Sequence, residues 1–118
     1  MEKTARFERI LTTTEKTELQ HRTFHDCSFT GVDLSGADLR GSRFSRVLFV
    51  DCNLTGADLR GASFLLCELS NVILARAQLD ESRFDGTTLD DLVDIGKDAR
   101  AHVERSGGTF QHRRASRR

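Results

Sequence analysis

The chain of 118 residues contains no Pro, no Trp and no Tyr, and only three Cys. Without Pro, none of its turns rests on a ring-fixed backbone angle. Three Cys is an odd count without paired spacing; it argues against a disulfide framework and for a reducing compartment, the cytoplasm. No window holds eighteen apolar residues, so no membrane-spanning helix is expected. No basic-then-apolar leader opens the sequence, so no secretory signal is expected. Charge of one sign is lacking too: 18 Lys and Arg stand against 18 Asp and Glu. Residues 19–91 carry eleven acids and seven bases, and residues 92–118 carry three and seven. A mildly acidic middle and a basic end exclude bulk electrostatics as the main device, whether nucleic-acid wrapping or a strongly acidic decoy.

What the chain does have is a beat. Every fifth residue from Leu19 to Leu89 is Leu or Phe, fifteen in a row, although only 22 of the 118 residues are. Two residues before each beat, from the third on, stands a small or compact residue, such as Cys27, Val32, Ala37 or Ser42. On an α-helix a five-residue step turns about 140°, which smears the series around the cylinder. On a flat strand an odd repeat sends successive beats to opposite faces. The chain must therefore bend once per unit, with positions i and i−2 facing inward and i+1 and i+2 turning the corner. Gly31, Gly36, Gly41, Gly56, Gly61 and Gly86 all occupy i+2, where a corner can demand positive φ.

A longer period sets the number of sides. Phe recurs at 24, 44, 64 and 84, and Leu34-Ser-Gly-Ala-Asp-Leu-Arg-Gly nearly repeats as Leu54-Thr-Gly-Ala-Asp-Leu-Arg-Gly. Twenty residues are four units, so each coil has four sides. Coils stack through parallel hydrogen bonds about 4.8 Å apart. The fold class expected is an all-β solenoid, a right-handed quadrilateral parallel β-helix of about four coils with a short C-terminal α-helix cap; the handedness follows from the rule for parallel crossovers.

The units Ala37-Asp38-Leu39-Arg40-Gly41 and Ala57-Asp58-Leu59-Arg60-Gly61, with Val32-Asp33-Leu34 and Cys52-Asn53-Leu54 as close variants, resemble the pentapeptide-repeat family, whose consensus is A-(D/N)-L-x-x. The resemblance implies the same quadrilateral β-helix and little about function, because that fold carries several roles.

The organisation expected is an N-terminal cap (1–18), the β-helix (19–91), a C-terminal helix (92–106) and a flexible basic tail (107–118). Phe7, Ile10 and Leu11 can cover the N-terminal mouth as a strand or a helical turn. Thr88 with Asp91 resembles a capping box, and Gly107-Gly108 a stop. Leu92, Val93, Ala99 and Val103 follow helical spacing. That apolar stripe can cover the last coil, pair with a second copy, or do both; relatives in the family use this helix as a homodimer contact.

No catalytic constellation emerges, so no enzyme activity, cofactor or metal is expected. His21 and His25 straddle a corner and read as surface residues. Each Cys stands where Ala or Val stands in other units, and reads as a small buried hydrophobe. Leu48, Val50, Leu65, Leu66 and Ile73 fall at outward positions, and this apolar group is the candidate contact for a protein partner. The function expected is a non-enzymatic protein–protein interaction module. The alternative comes from the resemblance: quinolone-resistance members mimic B-DNA and bind DNA gyrase and other type II topoisomerases. Six Arg interrupting the faces here stand against it. In the tail, Arg113-Arg114-Ala115-Ser116 resembles a basophilic kinase site; four Arg there can touch phosphates, but specific nucleic-acid binding is not expected.

Overall fold

A computed structural model of the chain describes residues 6–7, 19–90 and 92–111. They wind a right-handed four-sided tube. Strands β1 (Arg6–Phe7), β3 (Ser28–Thr30), β5 (Leu48–Val50), β7 (Glu68–Ser70), β8 (Thr88–Asp90) and β9 (Thr109–Gln111) stack in parallel as one sheet. Strands β2 (Thr23–His25), β4 (Arg43–Ser45) and β6 (Ser63–Leu65) form a second. The other two sides pair through single parallel bridges, Asp33 to Asn53 to Ile73 to Asp94, and Asp38 to Asp58 to Gln78. The sides are numbered here by their inward residues: first, Phe24, Phe44, Phe64 and Phe84; second, Phe29, Phe49, Leu69 and Leu89; third, Leu34, Leu54 and Leu74; fourth, Leu19, Leu39, Leu59 and Leu79.

Thirteen of the fifteen beats are buried, and Leu19 and Phe24 at the N-terminal end pack against them half-buried. Rings on the first side stack at centroid distances of 5.3, 4.9 and 4.8 Å from Phe24 to Phe84. That spacing is the coil repeat itself, so the backbone pitch and the aromatic contact distance agree. The i−2 column tolerates polar residues because each finds an acceptor. Ser42 Oγ donates to Leu19 O at 2.7 Å, and Thr87 Oγ1 to Phe64 O at 2.8 Å. The thiols of Cys52 and Cys67 point at Phe29 O and Phe44 O at 3.2 and 3.3 Å. All three cysteines are buried and unbridged.

The corners go further than the glycine pattern implied. Every fifth residue from His21 to Gly86 has φ between +54° and +72°, and eight of these fourteen are not glycine. Half the corners close with an amide-to-carbonyl bond across four residues, as from Ala37 N to Leu34 O at 3.0 Å; positive φ at the third residue is what a type II turn requires. Leu66, at +55°, is the one large apolar side chain in the series.

At the C-terminal end the structure departs from the expected boundaries. The helix α1 runs from Lys97 to Arg105, with Gly96 as a cap lacking any side-chain hydrogen bond. Thr88 lies in β8, so the expected capping box does not form. The reason is a one-residue slip. Asp94 pairs with Ile73, which places Val93 and Ile95 inward on the third side, six residues after Leu89 instead of five. The helix then replaces the fourth side, Ser106 and Gly107 accept bonds from Phe84 N and Gly86 N on the first, and β9 lies on β8 with Phe110 opposite Leu89. Residues 109–111, expected in a flexible tail, are thus the last strand of a further turn. Val103 is fully buried, and Ala99 packs against the core beneath it. Near the N-terminus, β1 adds to β3 with Phe7 opposite Phe29. Ile10 and Leu11 lie outside the described residues, as do residues 112–118.

Candidate interaction surface

Outward positions are fixed by the same alternation that buries the beats. Leu48 and Val50 flank Phe49 on β5, and Leu65 follows Phe64 on β6. Leu66 is 53% exposed, Leu65 44%, and Leu48 and Ile73 37% each; Val50 is half-buried. Leu65 and Leu66 sit on the edge where the first side turns into the second, two residues before Glu68, which pairs with Leu48. Leu48 and Val50 are bracketed along the tube by Ser28 and Thr30 on one flank and Glu68 and Ser70 on the other. Ile73 stands on the adjoining third side between Asn53 and Asp94. The register therefore sets Leu48, Leu65 and Leu66 about the edge between the first and second sides, and places Val50 at the other end of β5, toward the third side that carries Ile73.

Leu92 is exposed to 53%, although its spacing placed it on the helical stripe. Only the slip after Leu89 explains this, and no sequence signal marks the slip. Of the four expected helix-face residues, Val93, Ala99 and Val103 face their own core, and Leu92 faces solvent.

The fourth side is zwitterionic. Arg40 Nε and Nη2 bind the Asp38 carboxylate at 2.8 Å each, and Arg60 binds Asp58 at 2.8 and 2.6 Å. Arg40 also lies 3.8 Å from Asp58, tying one coil to the next. On the first side, Arg83 holds Asp85 with two bonds of 2.9 Å, and Arg46 binds Asp26 at 2.9 Å. The guanidiniums hold the carboxyls of Asp26, Asp38 and Asp58 below the usual range, chiefly by direct hydrogen bonds.

Sequence reasoning missed one Ser–His contact. His102 Nε2 lies 3.0 Å from Ser82 Oγ and 2.9 Å from Ser82 O. The Ser82 hydroxyl donates to Leu79 O at 2.6 Å, so the ring nitrogen must carry the hydrogen and donate. A serine buried to 2% exposure, with its proton already committed, is no nucleophile; the pair latches α1 to the coil. Open clefts of about 400 and 370 Å³ flank the helix there. Among the described residues no His, Cys, Asp and Glu cluster could hold a metal, and His21 and His25 are exposed. Among the same residues no helix is long and apolar enough to cross a membrane.

The chain is similar to a pentapeptide repeat protein, alr5209 from Nostoc Pcc 7120, at 22% identity and TM-score 0.54, over 78% of this chain and 74% of that one. It is also similar to AT2G44920, a pentapeptide repeat protein of the Arabidopsis thaliana thylakoid lumen (20% identity, TM-score 0.31, 77% of each chain). A third likeness is to full-length QnrB1, a plasmid-mediated fluoroquinolone resistance protein (13% identity, TM-score 0.30, 89% of this chain and 98% of that one). No curated protein matches the sequence. The family model for pentapeptide repeats matches residues 16–46, 27–65 and 52–91, with eight copies. With that match spanning the tube, and the five-residue beat buried along it, the chain belongs to the pentapeptide repeat family.

Proposed function

We propose that the chain is a non-enzymatic protein–protein interaction module whose contact centres on Leu48, Val50, Leu65 and Leu66, with Ile73 at its margin. The observation that carries this reading is Leu66. A left-handed corner costs a large side chain about 1–3 kcal/mol, and Gly, Asn or Asp occupies several of the other corners. Leu66 accepts that cost and then presents its side chain to water. Broken local rules of this kind concentrate at functional positions. A partner surface with a complementary apolar pocket would recover the cost on burial.

The three buried, unbridged thiols support a reducing compartment, the cytoplasm. The capping role of Val93, Ala99 and Val103 leaves Leu92 as the part of the stripe open to a two-fold contact, which favours a cap over a dimer helix. The DNA-mimic alternative asks for a dense anionic surface, and here four carboxylates of the tube are neutralised by bound Arg. No inhibition of gyrase supercoiling at micromolar protein is expected.

The deciding experiment is affinity capture with the native chain and with Leu66→Asp. Aspartate is at ease in a left-handed corner, so the variant keeps or raises its melting temperature and loses the partner. An identical captured set from both chains would remove this surface from consideration.

A further inference from the structure

Of all the Asp and Asn in the chain, Asp85 alone is followed by Gly. Such a step carries its own chemistry. The main-chain nitrogen after an aspartate can attack the side-chain Cγ, and a following residue without a side chain hinders that attack least. A bond forms between the Gly86 nitrogen and Asp85 Cγ, closing a five-membered succinimide. The bond from Cγ to the carboxyl hydroxyl breaks, and that hydroxyl leaves with the amide proton as water. Water then adds back at either ring carbonyl. One addition restores aspartate; the other leaves the main chain running through the Asp85 side chain as isoaspartate. No further reactant is needed.

The folded corner holds the reacting atoms apart in three ways. Thr87 N donates to Phe84 O at 3.0 Å around Gly86 at φ +65°, a type II turn. That turn sets the ψ of Asp85 near about +120°, which points the Gly86 nitrogen away from the Asp85 side chain. Arg83 ties both carboxylate oxygens with bonds of 2.9 Å, so Cγ cannot swing round while they last. The segment after α1 supplies the third restraint. Gly86 N donates to Gly107 O at 3.2 Å, and a Cβ on Gly107 would stand 2.9 Å from Asp85 Cα and 3.1 Å from its Oδ1. The cap therefore sits directly on the step and occupies its nucleophile. Asp85 is half-buried and Gly86 exposed, so water reaches the ring once it forms.

We propose that Asp85-Gly86 is a site of spontaneous isoaspartate formation that the seated cap suppresses and each opening of the cap exposes. Isoaspartate adds a carbon to the main chain at the corner and takes the Asp85 carbonyl out of it. Leu66 N, which donates to that carbonyl at 2.9 Å, loses its rung partner, and Gly107 loses its seat. The change thus accumulates with cap opening and prevents reclosure. It does not depend on any partner at Leu66.

The test incubates the full chain in warm neutral buffer. Residue 85 is followed by mass spectrometry after digestion with an endoproteinase that cuts before aspartate and not before isoaspartate. The same chain unfolded in guanidinium chloride sets the unrestrained rate, and the native chain should fall below it by at least about tenfold. Two variants loosen the cap: Gly108→Ala, and His102→Ala, which removes the latch to Ser82. Each should raise the native rate by the factor by which it speeds hydrogen exchange in α1, about 5- to 150-fold for Gly108→Ala. Phe24→Ala, at the other end of the tube, should leave the rate unchanged. Equal rates in the native and unfolded chains would show that the corner does not restrain the step. Isoaspartate formation that ignores faster exchange in α1 would separate it from the cap. Acceleration by Phe24→Ala equal to that by Gly108→Ala would assign the opening to the whole chain. Any of these three results overturns the proposal.

Discussion

Leu66 and Gly86 occupy successive positions in one corner column and make the stability argument most directly. Leu66 has φ +55°, and its Cδ2 lies over Gly86, where an added Cβ would approach to 2.7 Å. Leu66→Asn should stabilise the fold by about 0.5–1 kcal/mol in urea denaturation, because Asn tolerates the left-handed region. Gly86→Ala should destabilise it by about 1 kcal/mol, combining its own φ of +65° with the push on Leu66, and less so when Leu66 is already Asn. A loss of stability on Leu66→Asn would mean that packing over Gly86 outweighs backbone strain. The Cys67 thiol gives a second test at this scale. Burial pushes it up to about 11. A thiol whose folded pKa exceeds the unfolded one stabilises the fold below the unfolded value and loses that contribution as pH rises toward the folded one. Stability should therefore fall between about pH 9 and 11. Cys67→Ala should flatten that part of the profile, read as denaturation midpoint against pH. A profile equally steep in both chains would assign the loss to other groups.

The elements were legible to the degree that they follow the beat. Fifteen Leu and Phe at equal spacing determine inside and outside for residues 19–89, because one face per straight edge is the only way to bury them all. The C-terminal boundaries were less legible, for a physical reason. One additional residue between Leu89 and Ile95 displaces the pattern, and Leu92, Val93, Ala99 and Val103 then mimic a helical stripe while serving three different elements. The beat resumes in hidden form, since Ile95 and Phe110 are fifteen residues apart and α1 fills the place of the units between. The candidate contact was legible as outward positions, yet neither its spread over two edges nor the exposure of Leu92 could be read without the register. The cap itself is tightly fitted. A Cβ on Gly108 would stand 3.1 Å from Val103 O and 3.2 Å from Phe84 Cβ. Gly108→Ala should therefore cost about 1–3 kcal/mol and speed hydrogen exchange in α1 and β9 ahead of the central strands. Arg100, whose guanidinium lies 3.9 Å above the Phe110 ring, should be loosened in the same variant. Uniform exchange rates along the tube would contradict a separable cap.

At the scale of the whole molecule, each coil touches only the coils before and after it, so stability is close to a sum of repeats and their interfaces. Removing one large ring from the middle severs contacts in both directions. Phe64 stacks on Phe44 at 4.9 Å and on Phe84 at 4.8 Å. Phe64→Ala should cost about 3–5 kcal/mol by chemical denaturation. Phe24→Ala, near the N-terminal end and half-buried, should cost clearly less, and equal losses at the two sites would argue against a layered core.

The slip at residues 90–95 separates counting from closing. Below it the chain measures out equal rungs; above it α1 and β9 respond to the width of the bore and not to how many rungs lie underneath. Splicing a second copy of residues 45–64 after Phe64 would repeat the phase unchanged and deliver the same stopper to a longer pipe. Length is thus a freely adjustable dimension of this molecule, whereas its calibre is not.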